Sequence, residues 1–263
     1  MEQDLLVEKH GRVLVLTMHR PERRNALTRP MTDAMGRAVR DAAEDPQVGA
    51  IVLTGTPPGF CAGGDVKNMA EAPHAGIGTE ERIAILRERA DVSRLLHEIG
   101  KPTIAMIRGA AAGAGLSLAL ACDLRIAAAS AKLTTAFIKV GTSGDFGGHF
   151  FVNRLVGSAK ARELFLLAPV LDAAEALRIG LLTQVHPDDA VLDATMTLAH
   201  AIADGPSVAY ALMKRNLNIA ESATLAETLD AESRHMILSQ LTEDHLEAAR
   251  AFAQKRPAKF VGR

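Results

Sequence analysis

The stretch from Lys101 to Asp123, KPTIAMIRGAAAGAGLSLALACD, constrains the fold of this chain more than any other. Its first part, Thr103–Ile107, is a short apolar run with β-branched residues, which predicts a buried strand. Small residues follow from Gly109 to Gly115, and the leucine- and alanine-rich segment after them favours a helix. The stretch therefore predicts a strand, a tight glycine turn and a buried helix whose first N–H groups can approach a ligand closely.

A second loop of the same kind follows the apolar strand predicted at Gly49–Gly55. After a Thr-Pro-Pro-Gly loop, the segment Phe60–Lys67 has the sequence FCAGGDVK, so two strands each end in a small-residue loop that opens a helix. Two backbone N–H groups, one from each loop, have the geometry that stabilises an enolate or a tetrahedral oxyanion. Tight packing of a helix on a sheet is the alternative explanation for either loop taken alone.

Composition restricts the class of protein. The chain has 263 residues, of which 48% are hydrophobic, and a formal net charge of −1, which is typical of a soluble globular protein with a sizeable core. Near-neutral charge and few aromatic residues give no reason to expect a nucleic-acid or membrane partner. Cys61 and Cys122 lack metal-ligand spacing, so we expect neither a disulfide nor a metal site. Free cysteines are typical of a reducing compartment, so we expect a cytoplasmic location.

Periodicity along the rest of the chain predicts an α/β protein. A hairpin is expected from Asp4–Lys9 and Arg12–Met18, and a helix capped by Thr28 runs to about Ala43. The segment Glu80–Ile99 predicts a long amphipathic helix. Further strands are predicted at Leu124–Ala129 and Lys132–Thr135, and further helices at Ala159–Leu167, Ala173–Ile179, Val191–Asp204, Ser207–Ile219, Leu225–Leu238 and Leu241–Gln254.

FCAGGDVK and the 101–123 stretch, in this order, resemble the crotonase (enoyl-CoA hydratase/isomerase) superfamily. The resemblance extends from Arg20–Leu27, RPERRNAL, to Ala251–Arg256, AFAQKR. It implies a crotonase-like spiral of ββα units with a CoA-thioester site in residues 1–204, and a C-terminal helical region for oligomerisation and CoA contacts in residues 205–263. It also implies an acyl-CoA substrate, a homotrimer or a dimer of trimers, and no cofactor besides the coenzyme A of the substrate.

The resemblance assigns an oxyanion hole to the backbone N–H groups of Gly64 and Ala114. Hydratases of the family carry two catalytic glutamates, but Ser117 and Phe137 occupy the matching positions. Asp145, in Ser-Gly-Asp-Phe-Gly-Gly, matches the position at which dienoyl-CoA isomerases and 1,2-epoxyphenylacetyl-CoA isomerase-like proteins carry a functional aspartate. The resemblance therefore implies an isomerase with a single catalytic aspartate.

One carboxylate is sufficient to move a double bond, because it can remove a proton from one carbon and return it to another. Burial among apolar residues would raise the pKa of Asp145 towards the range that suits proton transfer. The same residue type before an apolar helix is also a common N-cap. Hydration of a 2-enoyl-CoA and a non-catalytic acyl-CoA-binding or scaffold role remain alternatives, whereas the absence of tryptophan disfavours the dehalogenase chemistry of some relatives.

Two further residues are candidates to assist the reaction. His149 would share a face with Asp145 and could orient it or share its proton if the helix begins at Phe146, although it could equally face solvent. Ser117 could hold a water molecule or a substrate hydroxyl, or simply pack. The acyl pocket is expected to involve Pro73–Glu81. The residues that the resemblance places around coenzyme A and the substrate are Arg23, Arg24, Ala26, Ala62, Gly63, Asp65, Val66, Lys67, Phe137, Phe252 and Lys255.

Overall fold

The computed structural model describes residues 4–67, 71 and 76–263. Part of the predicted acyl-pocket segment, residues 73–75, lies outside the described residues. The strands are β1 Leu5–His10, β2 Val13–Met18, β3 Ala50–Gly55, β4 Thr103–Ile107, β5 Ala110–Ala112, β6 Leu124–Ala128, β7 Lys132–Thr134, β8 Leu171–Asp172 and β9 Gln184–His186. The helices are α1 Arg29–Glu44, α2 Thr79–Glu98, α3 Ala114–Leu120, α4 Gly148–Leu167, α5 Ala173–Arg178, α6 Val191–Ala203, α7 Ser207–Ala220, α8 Leu225–Gln240 and α9 Glu243–Ala253, with single 3₁₀ turns at Pro21–Arg23 and Phe137–Val140.

A sheet with the strand order β1-β2-β3-β4-β6-β9 forms the centre of the fold. Strands β1 and β2 form an antiparallel hairpin, and every later neighbour pair in this sheet is parallel. A smaller sheet has the order β5-β7-β8. Only two residues separate β4 from β5, and α3 follows shortly after, so one continuous segment contributes to both sheets and then to a helix.

Side chains alternate between two apolar layers along the central strands. Leu14 and Leu16 of β2 pack in the cluster that contains α1 and α3. Val13 and Val15 point the other way, into a second cluster formed with α6. Successive side chains of a strand point to opposite faces, and both faces are covered here, so these strands are continuous apolar runs rather than alternating ones.

Most predicted elements are confirmed, but some details differ. The helix after Asp145 begins at Gly148, and it meets the segment predicted from Ala159 at a kink at Gly157, where φ is 78° and ψ is 161°. The three short strands β5, β8 and β9 were not predicted. A strand of two or three residues is too short to show a period, and pairing with a neighbour defines it. None of the helices within the described ranges is both long and apolar enough to cross a lipid bilayer.

Lys214 ties the C-terminal helices to the central sheet. Its Nζ donates to Asp123 Oδ2 over 2.7 Å and to the carbonyl oxygen of Leu96 over 3.0 Å. The same carboxylate oxygen accepts from the backbone N and the hydroxyl of Thr103, at 2.7 and 3.0 Å. Lys214 is only 6% exposed. A buried ammonium group needs such partners, so this network fixes the position of α7 against β4.

We predict that Lys214→Met lowers the free energy of unfolding by about 3 kcal/mol, because it leaves Asp123 without its cation. Chemical denaturation at matched protein concentration measures the change. The control is Lys160→Met, which removes an exposed ion pair with Glu163 (2.7 Å) and is expected to cost less than about 1 kcal/mol. Equal effects of the two substitutions would contradict this role for Lys214.

Candidate active site

The loop after β3 and the turn before α3 lie side by side. The backbone N of Ala112 donates to the carbonyl oxygen of Cys61 over 2.9 Å, and the backbone N of Cys61 donates to Ala110 over 3.1 Å. These bonds form an isolated parallel bridge between Cys61 and Ala111. The structure therefore brings together the two loops that the sequence singled out.

Gly63 allows the closest approach between these loops. Its φ is +86°, and a Cβ atom added there would lie 2.7 Å from the carbonyl oxygen of Ala112 and 3.2 Å from the backbone N of Ala114. Both the backbone conformation and the space exclude any other side chain. The main chain beside Gly64 is thus packed directly against the start of α3.

The N–H groups of Gly64 and Ala114 have no acceptor among the described residues. Ala114 is the first residue of α3, where the first intrahelical bond runs from Ser117 N to the carbonyl oxygen of Gly113. An N–H group in the first turn of a helix has no partner within the helix. Both groups are therefore available to an oxygen atom of a ligand.

Asn25 holds the outer loop in place and was not singled out from the sequence. It is fully buried, and its Nδ2 donates to the carbonyl oxygens of Thr56 (2.7 Å) and Gly59 (2.8 Å). Its Oδ1 accepts from the backbone N of Arg20 over 3.0 Å. Its carbonyl oxygen accepts from the Cys61 thiol over 3.0 Å. A lone asparagine between Arg24 and Ala26 is a weak signal for this role.

Cys61 is not a nucleophile in this site. Burial raises the pKa of its thiol to about 12. Since the thiolate is the reactive form, this thiol is inert near neutral pH.

The predicted CoA-contacting residues near the N-terminus lie on or beside this loop. The backbone N of Ala62 donates to the carbonyl oxygen of Arg24 over 3.0 Å, and the backbone N of Leu27 donates to Gly63 over 2.8 Å. The side chains of Arg23 and Arg24 are exposed, and Ala26 is buried. Val66 and Lys67 are exposed where the described loop ends. Asp65 lies 3.4 Å from a guanidinium nitrogen of Arg20, a contact that the sequence did not predict.

Phe252 and Lys255 lie elsewhere in the chain. Phe252 is 88% exposed in α9, a helix that packs mainly on α8. Lys255 is exposed just after that helix. No hydrogen bond or ring contact in the described ranges joins either residue to the loop of Ala62. Their contact with coenzyme A stays a prediction.

Asp145 lies in a tightly turned loop before α4. The φ angles of Gly144, Phe146 and Gly147 are all positive, at 114°, 50° and 75°. A positive φ is costly for a bulky aromatic residue, and Phe146 is also buried, so the surrounding packing enforces this loop. Helix α4 begins at Gly148 with Gly147 as its N-cap. The alternative role of Asp145 as a helix cap, and a helix start at Phe146, are therefore wrong.

The carboxylate of Asp145 has a free oxygen. Its Oδ1 is buried and has no hydrogen-bond partner in the described part of the chain. Burial raises the pKa of Asp145, while the positive charge of Arg89 in α2 acts in the opposite direction. No ion pair within 4 Å joins these two groups. Asp145 is therefore a desolvated carboxylate that interacts electrostatically with the guanidinium group of Arg89. Such an arrangement is found at proton-transfer sites.

Arg89 was missed from the sequence. It lies three and seven residues before the buried Val92 and Leu96, and therefore on the inner face of α2. Its Nε is buried without a partner. An arginine on the apolar face of an amphipathic helix is the signal that could have identified it.

His149 does not bond to Asp145. Its ring stacks on Phe165, with centroids 4.0 Å apart and planes at 12°. Phe165 also stacks with Phe137, with centroids 6.2 Å apart. A Cβ atom at Gly113 would lie 3.6 Å from the ring of Phe137, so this aromatic column borders the turn before Ala114.

Ser117 is buried in α3, and its Oγ donates to the carbonyl oxygen of Gly113 over 3.3 Å. A Cβ atom added at Gly148 would lie 2.5 Å from that Oγ, so the start of α4 packs directly on Ser117. This arrangement favours the packing role over a water-binding one. No glutamate can be accommodated there without moving α4.

Comparison with known proteins identifies relatives over nearly the whole chain. A sequence model of the enoyl-CoA hydratase/isomerase family matches residues 8–263. The chain is 35% identical to the 1,2-epoxyphenylacetyl-CoA isomerase of Escherichia coli over 251 residues, 95% of each chain. It is 33% identical to the short-chain-enoyl-CoA hydratase of Clostridium acetobutylicum over 256 residues, which cover 96% of this chain and 95% of that protein.

The fold agrees with solved structures as well. The crystal structure of an enoyl-CoA hydratase from Polaromonas sp. JS666 superposes with a TM-score of 0.92 at 30% identity, covering 97% of this chain and 99% of that chain. Two loops with free N–H groups, a buried carboxylate and this fold thus occur together in one chain. It belongs to the enoyl-CoA hydratase/isomerase family and has the crotonase-like fold.

Proposed function

We propose that this protein isomerises the double bond, or a ring, of an unsaturated acyl-CoA, with Asp145 as the group that carries the proton. The buried Oδ1 of Asp145, which has no hydrogen-bond partner among the described residues, supports this most directly. The two positions that hold glutamates in hydratases are Ser117 and Phe137, so a second acid is missing there. One carboxylate is sufficient to move a double bond, whereas adding water usually requires a second group.

The proposed reaction has two proton transfers. Asp145 removes a proton from one carbon of the acyl chain, and the electron pair moves into the thioester carbonyl to give a dienolate. The N–H groups of Gly64 and Ala114 stabilise the negative charge on that oxygen. The protonated Asp145 then returns its proton to another carbon. No electrons are gained or lost overall, so we propose that no metal or redox cofactor takes part.

Coenzyme A is proposed to lie along the loop of Ala62 to Lys67. Arg23 and Arg24 extend exposed guanidinium groups beside this loop, where they would suit phosphate groups. Phe252 and Lys255 would contact the nucleotide from a neighbouring subunit. We also propose a cytoplasmic location, which suits two free, buried thiols.

Hydration of 2-enoyl-CoA is the second candidate, because relatives of similar identity include a named short-chain-enoyl-CoA hydratase. Water would then have to be held and deprotonated with Asp145 as the only acid or base near the thioester. Rates of water addition to crotonyl-CoA and longer 2-enoyl-CoAs, compared with double-bond migration in 3-enoyl-CoAs, decide between the two reactions. Tight acyl-CoA binding without turnover on either set would favour the non-catalytic alternative.

We predict that Asp145→Asn lowers kcat for double-bond migration by about 10²- to 10⁴-fold, because an amide cannot carry the proton. The substitution conserves shape, so KM should change little. Absorbance of the conjugated thioester follows the reaction. Asp193→Asn, at an exposed position of α6, serves as the control and should keep the wild-type rate. Wild-type turnover by Asp145→Asn would refute the proposed mechanism.

The pH dependence tests the same group. Asp145 must be ionised to accept the first proton, so kcat/KM is expected to fall as the pH drops through its pKa. Burial raises that pKa, so the midpoint of the acid limb should lie above about 4, the ordinary value for aspartate. Arg89→Met should move the midpoint further upward, because it removes the opposing charge. Thermal melting over the same pH range controls for unfolding, and a midpoint that Arg89→Met leaves unchanged would contradict this assignment.

We propose a homotrimer or a dimer of trimers, since the C-terminal helices expose large apolar side chains that a subunit interface would bury. Those in and next to α8 and α9 are Leu225, Leu229, Met236, Ile237, Leu238, Leu241, Leu246 and Phe252. Sedimentation equilibrium is expected to give three or six times the chain mass of 27.9 kDa. The mass of a single chain at all protein concentrations would contradict this.

A further inference from the structure

Helix α2 contacts the beginning of α4 near its C-terminal end. The ring of His97 in α2 meets the rings of Phe150 and Phe151 edge-on, with centroids 5.9 and 5.3 Å apart. Arg89 precedes His97 by two helical turns, about 12 Å. At that end the charge of Arg89 acts on Asp145, which precedes α4. Helix α2 therefore contacts the first turn of α4 through His97, and through Arg89 it acts electrostatically on the loop of Asp145.

Three buried polar atoms of this region have no hydrogen-bond partner among the described residues. They are Nε of Arg89, Oγ of Ser93 and Oδ1 of Asp145. Ser93 is 3% exposed and lies four residues after Arg89, on the same face of α2. A serine in a helix commonly satisfies its hydroxyl by donating to the carbonyl four residues earlier, but Ser93 does not. Buried polar atoms are almost always paired, so a ligand is the natural partner for the two donors, Arg89 Nε and Ser93 Oγ.

We infer that Arg89 and Ser93 bind an oxygen atom of the acyl group, and that the site selects acyl-CoA thioesters with a neutral oxygen acceptor beyond the reacting carbons. A hydroxyl, oxo or ether oxygen belongs to this class. The inference rests on the proposed function, because it takes the acyl group to lie beside Asp145. Arg89 Nε and Ser93 Oγ donate to the substrate oxygen, and Asp145 Oδ1 remains free for proton transfer.

The charges around this site favour a neutral oxygen over a carboxylate. The charged groups that act on Arg89 are Asp145 and Asp33, which are negative, and Arg29, which is positive. The formal charges of these three groups and of Arg89 itself sum to zero. A substrate carboxylate would add an uncompensated negative charge next to Asp145 in a desolvated site, whereas a neutral oxygen accepts the hydrogen bonds without changing this balance.

Calorimetric binding of saturated thioesters tests the inference without requiring turnover. The ligands are hexanoyl-CoA, its 4-oxo and 5-oxo derivatives, and adipoyl-CoA, which carries a terminal carboxylate. The wild-type protein is expected to bind at least one oxo derivative ~10-fold or more tightly than hexanoyl-CoA or adipoyl-CoA. Arg89→Met should abolish this preference, and Ser93→Ala should reduce it. The control is Arg87→Met, which removes an exposed ion pair with Asp91 on the same helix and should keep the wild-type preference.

Equal wild-type affinities for hexanoyl-CoA and both oxo derivatives would overturn the inference, and so would tightest binding of adipoyl-CoA. A uniform loss of affinity for every ligand in Arg89→Met would also overturn it, since that pattern indicates a structural role. If Arg89→Met does not fold, the wild-type comparison and Ser93→Ala decide the question. Failure of the wild-type protein to bind any of the thioesters would overturn the proposed function, and this inference with it.

Discussion

Close contact between two stretches of main chain is the constraint on which the rest of this structure depends. Gly63 faces the carbonyl oxygen of Ala112 at a distance that leaves no room for a Cβ atom. No side chain separates the two loops, so Gly64 and Ala114 lie on neighbouring stretches of main chain. Their N–H groups have no partner within the described residues. The small residues of both loops are thus required for packing. They also leave exposed the backbone N–H groups that the proposed chemistry uses.

The second constraint is the burial of one carboxylate. The loop around Asp145 has positive φ angles on both sides of that residue, including a buried phenylalanine, and such a loop persists only because the surrounding packing holds it. Desolvation and the charge of Arg89 act on the pKa of Asp145 in opposite directions. Desolvation is the larger of the two effects, and a raised pKa suits a carboxyl group that both accepts and returns a proton.

Much of the site could be predicted from the sequence because it consists of backbone and short local segments. The two loops and the strand before each of them follow from spacing and residue type, and the structure places the loops together as expected. Asp145 was identified through the resemblance to the family. The electrostatic effect of Arg89 on Asp145 could not be predicted in this way, because the two residues belong to elements that are distant in the chain. The same applies to His149, whose sequence spacing pointed to Asp145 but whose ring stacks on Phe165 instead.

The sequence by itself determined the α/β class, the family and the two glycine-rich loops, because these depend on local periodicity and on contacts that only small residues permit. The tertiary structure decided which polar groups share a desolvated space. Asp145 does not cap α4, since the helix starts at Gly148 with Gly147 as its N-cap. Ser117 packs directly against that helix start. Side-chain environments of this kind arise from elements distant in the chain, and no pattern of neighbouring residues encodes the distance or the dielectric between them.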